Sequence, residues 1–104
     1  MARARFSNRA KADLLEIGAY TLRTWGEVQA AHYLDGLEQC AKMLARHPAL
    51  GRSCAWIRSN LFRFEKGKHV FFYRKEGSGI LVSRILHQSM MPDRQPFEDE
   101  AANL

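Results

Sequence analysis

The sequence predicts an α+β domain in the order β-α-α-β-β-β, with a helical hairpin packed on one face of a mainly antiparallel sheet. Three observations carry that expectation. Apolar residues recur at helical spacing from residue 7 to residue 47. The spacing changes to a period of two after residue 60. Glycine-bearing turns punctuate the strands that follow. With 104 residues, 46% hydrophobic and 26% charged, the chain has length and composition for one globular domain with one real core. No apolar run approaches the roughly 18 residues of a membrane span, so no membrane partner is expected. The opening Met-Ala-Arg-Ala-Arg-Phe has no secretory character, and a cytoplasmic location is expected. The domain is expected to fill residues 1–96 and to leave 97–104 as a short acidic tail.

Residues 2–6 read as extended. Ser7 can then cap a helix by accepting a backbone N–H bond. Ala10, Leu14, Ile17, Thr21 and Trp25 form one stripe of that helix, and Gly26 stops it. A second stripe follows at once: Ala30, Tyr33, Leu34, Leu37, Ala41 and Leu44. Pro48 cannot continue it. A turn this short makes the two helices antiparallel. Tyr20 and Tyr33 are expected to anchor the hairpin.

Residues 48–60 read as irregular, with Trp56 covering a core edge. Strands then follow at Leu61–Glu65, His69–Lys75 and Ile80–His87, joined by turns at Lys66-Gly67-Lys68 and Glu76-Gly77-Ser78-Gly79. From Gln88 the chain, with Pro92 and Pro96, is expected to run over the surface. The sheet face away from the helices is expected to be open and to carry function.

Cys40 and Cys54 are too few for a disulfide framework. His32, Cys40, His47 and Cys54 have a suggestive rhythm. Seven or eight residues along a helix, however, separate side chains by about 10–12 Å. Zinc ligands must all lie within about 2.3 Å of one ion. No metal site and no cofactor are expected, and Cys40 reads as a small core residue.

The net charge is +5, and it is unevenly placed. Residues 46–84 hold nine basic and two acidic side chains. That field suits an acidic protein segment or a nucleic acid. The carboxylate pairs Asp13/Glu16 and Asp35/Glu38 read as solvated or ion-paired helix groups. Arg63, Arg74 and Arg84 fall one on each meander strand, with His69 and His87 nearby. Clustered on one face they would grip phosphates or carboxylates. With His87 as acid or base the same set would cleave RNA. In a regular strand Arg84 alternates with Ile80, Val82 and Leu86, which turns it away from His87. His69 reads as a hydrogen-bonded structural histidine. Met90 and Met91 make an apolar spot where the last strand ends.

The run Asp13-Leu14-Leu15-Glu16-Ile17, followed by Tyr20, Gly26, Ala30, Tyr33, Leu37, Leu44, Pro48 and Gly51, resembles the toxins of the RelE/ParE superfamily. The resemblance continues through His69-Val70-Phe71-Phe72-Tyr73-Arg74, Arg84-Ile85-Leu86-His87, Met90, Met91 and Arg94. It is nearest to the ParE branch. It implies the toxin of a bacterial type II toxin–antitoxin system, held in a hetero-oligomer by a cognate ParD-like antitoxin. ParE-type toxins are described as poisoning DNA gyrase without catalysis, on its own or on DNA. RelE-type toxins cut messenger RNA on the ribosome. The alternative nuclease reading uses Arg63, Arg74, Arg84 and His87. The gyrase reading uses Arg63, Arg74, Arg84, Met90, Met91 and Arg94 as target-binding groups. Leu15, Leu22 and Met43 lie off the main helical stripes and are expected to receive the antitoxin. The superfamily's nuclease site commonly uses a late tyrosine or histidine, whereas here no tyrosine follows Tyr73 and regular strand parity turns His87 away from Arg84. The non-nuclease branch is therefore expected.

Overall fold

The computed structural model describes residues 2–97 and places two helices on one face of a five-stranded sheet. In chain order the elements are β1 (Ala4–Phe6), α1 (Asn8–Trp25), α2 (Glu27–Arg46), β2 (Arg52–Ser53), β3 (Phe62–Lys66), β4 (His69–Glu76) and β5 (Gly79–His87). The sheet order is β1-β5-β4-β3-β2. β1 runs parallel to β5 and the other neighbours are antiparallel. No helix among the described residues is long and apolar enough to cross a membrane.

Ser7 sets the start of α1 and its position on the sheet together. Its hydroxyl accepts from the Ala10 N–H at 3.0 Å and donates to the Ser83 carbonyl at 2.7 Å. Its own N–H donates to the Val82 carbonyl. At the other end of α1, Gly26 sits at φ +91°, a conformation that a side chain would strain. Its N–H donates to Leu22 and its carbonyl accepts from Ala30. One residue thus closes α1 and opens α2, so the hairpin is as tight as the sequence implied.

The helix-facing core joins Ala10, Ile17, Leu37, Cys40, Ala41 and Leu44 to Phe71, Tyr73, Ile80, Val82 and Ile85. Phe62 and Phe64 pack against it from β3, in the alternation read from the sequence. Tyr73 also ties β4 to the chain after α2. Its hydroxyl donates to the Pro48 carbonyl at 2.7 Å and accepts from the Gly51 N–H at 2.9 Å. A Cβ on Gly51 would collide with that hydroxyl and lie 2.8 Å from the Arg63 carbonyl, so only glycine fits.

Several expectations need correction. The 48–60 segment is not wholly irregular, because Arg52 and Ser53 pair with Arg63 and Phe62 as an edge strand. Trp25 ends the expected core stripe but is exposed, as are Tyr20 and Trp56. Of the two tyrosines expected to anchor the hairpin, only Tyr33 packs against the core.

The second sheet face is not open. Cys54, Leu61, Val70, Phe72 and Leu86 form a smaller core there, with Ile57 and Phe97 against it. The 54–61 connection roofs this face, closed by the Cys54 N–H to Leu61 carbonyl bond at 2.7 Å. Phe97 crosses it edge-on to Phe72, with ring centroids 5.6 Å apart. The chain after Gln88 therefore returns to the sheet at this point. The remainder of the expected acidic tail, 98–104, lies outside the described residues.

Candidate functional site

The three meander arginines share the second sheet face. Phe72 of β4 pairs across the sheet with Arg63 on one side and Arg84 on the other. Arg74 lies two residues along β4 from Phe72, on the same face of the pleat. The Arg63 guanidinium sits 5.9 Å from the Phe72 ring centroid and bonds Glu65 at 3.0 Å.

Arg84 is different, because it is buried. β1 covers β5 only as far as Val82. Beyond that point the sheet edge would present bare backbone groups, and α1 satisfies them. Ser7 takes the Ser83 carbonyl, and Asp13 accepts the Ile85 N–H at 2.9 Å. Arg84 folds onto the same carboxylate, with Nε and Nη2 each 2.8 Å from an Asp13 oxygen. Its Nη1 donates to the Pro96 carbonyl at 2.7 Å. Both residues are 8% exposed. Asp13 is thus ion-paired but not solvated. Arg84 holds helix, sheet edge and tail together, so as a group to touch a partner it is not available while the pair stands.

The phase of β5 also differs from the regular strand assumed from the sequence. Phe72 pairs with Arg84 and Tyr73 with Val82, so Ser83 is an extra residue in a β-bulge. The bulge returns Ile85 to the helix-facing core shared by Ile80 and Val82. Arg84 is therefore out of phase with Ile80 and Val82 and in phase with Leu86. His87 pairs with His69, whose Nδ1 lies 2.6 Å from the Tyr33 hydroxyl of α2. Arg84 and His87 remain on opposite faces.

The two histidine rings meet edge to face at 5.5 Å. The Ser89 backbone N–H donates to His87 Nδ1 at 3.1 Å, which assigns Nδ1 as an acceptor. The Tyr33 hydroxyl oxygen also accepts from the Lys68 N–H at 3.2 Å, which ties the β3–β4 turn to α2. Burial, and secondarily His87, holds the His69 pKa below its ordinary value, against a smaller pull from Asp13. The folded state thus takes up that proton at lower pH than the unfolded chain. The stability contributed by the neutral ring is complete above the ordinary value of 6.5 and is lost as pH falls from there through the lower folded value. Tm is expected to decline on acidification below about pH 6.5, and to do so less steeply in His69→Gln. Parallel melting curves for the two proteins would remove His69 as the cause.

Met90 and Met91 are exposed at the end of β5, as the sequence implied, and Arg94 is exposed in the short turn Pro92–Arg94. The helical hairpin carries a separate apolar surface. Leu15 and Leu22, two turns apart on α1, are 76% and 49% exposed. Trp25 at 67% and Val28 at 85% continue the apolar exposure to the hairpin bend. Met43 is not equivalent, because it is partly buried against the helix-facing core. The sequence reading found Leu15 and Leu22 from their phase but assigned Trp25 to the wrong side. A helix drifts in phase over fifteen residues, and the bend at Gly26 ends the packing that would cover its last turn.

A family model described as the ParE toxin of the type II toxin–antitoxin system parDE matches residues 4–92. That span runs from the first strand through both helices and the whole meander. The chain belongs to the ParE toxin family. Toxin ParE1 of Caulobacter vibrioides is 43% identical over 86 residues, which are 83% of this chain and 88% of that protein. Among solved structures, a chain from the chromosomal ParDE toxin–antitoxin system of P. aeruginosa superposes with a TM-score of 0.70 at 19% identity. The superposition covers 84% of this chain and 96% of that one, and it supports the two-helix, five-strand fold. As a ParE toxin, the chain has two distinct surfaces to account for: the apolar hairpin and the arginine-bearing sheet face with its Met90–Met91 exit.

Proposed function

We propose that this ParE toxin acts in the cytoplasm by binding DNA gyrase, without catalysis of its own, and that a cognate ParD-like antitoxin neutralises it. The observation that carries the non-catalytic reading is the placement of the cationic set. RNA cleavage needs an acid and a base facing one substrate. Here Arg84 is engaged by Asp13 and lies across the sheet from His87. Arg63, Arg74, Met90, Met91 and Arg94 are the target-contact groups. Arg84 acts through them, as a positioning residue that fixes β5 and the returning tail. Basic side chains beside an apolar exit suit a protein–DNA complex, where they add affinity without chemistry.

Purified toxin is expected to inhibit supercoiling by purified gyrase. Induction in a bacterium is expected to stop growth without new 5′ ends in messenger RNA. Co-induction of the antitoxin is expected to restore growth. Unaffected gyrase, together with mRNA cuts that vanish in His87→Ala, would replace this reading with the ribosome-dependent nuclease. His87 is the informative position because it is exposed and outside both cores.

A further inference from the structure

The roof over the second sheet face holds one large side chain out in solvent. Cys54 and Leu61, at its two ends, are buried. Just after Cys54 the chain turns, closed by the Ile57 N–H to Cys54 carbonyl bond at 2.9 Å. That turn sets Ile57 against the second core and leaves Trp56 68% exposed. An indole presented on a hydrogen-bonded turn loses little freedom when a flat partner stacks on it. Two arginines stand at the root of the turn. Arg52 of β2 is directly opposite Arg63 of β3, so their side chains share a face, and like charges in that position repel. Arg63 is engaged by Glu65 and by the Phe72 ring. Arg52 is exposed and makes no hydrogen bond or ion pair among the described residues. Burial raises the Cys54 thiol above its ordinary pKa, and Arg63 and Arg52 pull it back, so the field of both reaches the start of the turn.

We infer that Trp56 and Arg52 form a docking point for single-stranded nucleic acid, with the indole stacked on a base and Arg52 on a neighbouring phosphate. The charge of the surrounding chain favours a polyanion. Residues 46–84 hold nine basic and two acidic side chains, and both acids are already ion-paired, Glu65 with Arg63 and Glu76 with Arg5. A basic surface that also offers an exposed aromatic ring is the arrangement that holds single strands, because every base has a face to stack. A carboxylate-rich peptide would engage Arg52 but has no planar ring for the indole. A duplex keeps its bases stacked on one another and away from Trp56. Trp56 lies four residues from Arg52, at most about 14 Å of fully extended chain, and the turn draws it closer. One strand can therefore reach both. The docking point is separate from the Arg84–Asp13 pair and from the exposed hairpin, and it stands whether or not gyrase is the target.

The test is direct binding by the full chain. Trp25→Phe leaves Trp56 as the one tryptophan, and its emission is followed as a thymidine dodecanucleotide is added at low salt. Quenching is expected, because stacking brings indole and base into contact. With a fluorescein-labelled dodecanucleotide, Trp56→Ala is expected to weaken binding about tenfold, the cost of one lost base stack, and Trp56→Phe much less. Arg52→Gln is expected to weaken binding and to lower the slope of log K against log salt by about 0.7, one phosphate contact on a single strand. Arg23→Gln, at the end of α1, removes the same charge elsewhere and is expected to change binding less than about twofold. All four positions are exposed, so the variants keep the fold. Unquenched Trp56 emission, or unchanged affinity in Trp56→Ala, would overturn the inference. Equal losses in Arg52→Gln and Arg23→Gln would reduce the effect to net charge and overturn it too. So would a duplex of the same length binding as tightly as the single strand, or displacement by a hexaglutamate peptide at lower concentration than by unlabelled dodecanucleotide.

Discussion

Arg84→Ala is expected to lower folding stability by about 3–5 kcal/mol, the cost of leaving one member of a buried ion pair alone. The wild-type carboxylate of Asp13 accepts two guanidinium N–H groups and the Ile85 N–H. Without Arg84 only the backbone bond remains, and the Pro96 carbonyl loses its donor. A domain of this size has about 5–15 kcal/mol in total, so the loss is a large part of it. Asp13→Ala is expected to cost a similar amount, because it takes the carboxylate from the buried guanidinium and the acceptor from the Ile85 N–H together. The double variant should cost much less than the two losses added, since each single change already breaks the same pair. Urea unfolding of the four proteins measures this. A loss for Arg84→Ala below about 0.5 kcal/mol, the range of ordinary surface changes, would show that the pair holds nothing. The result also bears on function. Lost toxicity in Arg84→Ala reports an unfolded toxin unless the purified variant is shown to be folded, so it does not by itself identify a target contact.

That pair also shows which parts of the molecule were readable from sequence. The helices, their one-glycine hinge and the meander turns arise from local signals: stripes, caps and glycine turns within a few residues of one another. Tyr33, Leu37, Ala41 and Leu44 are placed by spacing alone, and the structure seats them against the helix-facing core. Asp13 and Arg84 are 71 residues apart, and nothing local marks either as a partner. Their meeting follows from where β1 ends against β5, which in turn follows from a strand only three residues long. The bulge at Ser83 was hidden for a related reason. A single inserted residue leaves Ile80–Leu86 as one run without glycine or proline to mark where the register shifts. The roof over the second face was also invisible, because Cys54 and Ile57 lie in a short apolar run, and Phe97 in the tail, with no regular period to say which surface they cover. The three arginines were legible as one per strand. Their shared face was a consequence of pairing register, which places Arg63 and Arg84 on either side of Phe72.

Leu22→Ala and Trp25→Ala are each expected to weaken antitoxin binding about thirtyfold or more, corresponding to at least ~2 kcal/mol for a central hot spot. Both side chains are exposed apolar groups on one end of α1, and Leu15 and Val28 extend the exposure along and around the hairpin. Contiguous apolar exposure is unusual on a monomer and marks surfaces that a partner covers. An amphipathic helix laid along α1 would bury them at the spacing it uses for its own anchors. The nine basic residues of 46–84 would draw in an acidic segment alongside that helix. Truncating these exposed side chains is expected to change folding stability by less than about 0.5 kcal/mol, since the isolated toxin does not pack them. Met43→Ala is expected to behave in the opposite way, with reduced stability and little change in affinity, because Met43 packs against the helix-facing core. Calorimetric titration of each folded variant with purified antitoxin separates the two outcomes. Unchanged affinity in Leu15→Ala, Leu22→Ala and Trp25→Ala together would move the antitoxin off the hairpin. The next groove candidate would then be the one between the edge strand β1 and α2, where Ala4, Phe6, Ala41 and Ala45 line a cavity rimmed by Arg3, Glu38, Lys42 and Arg46.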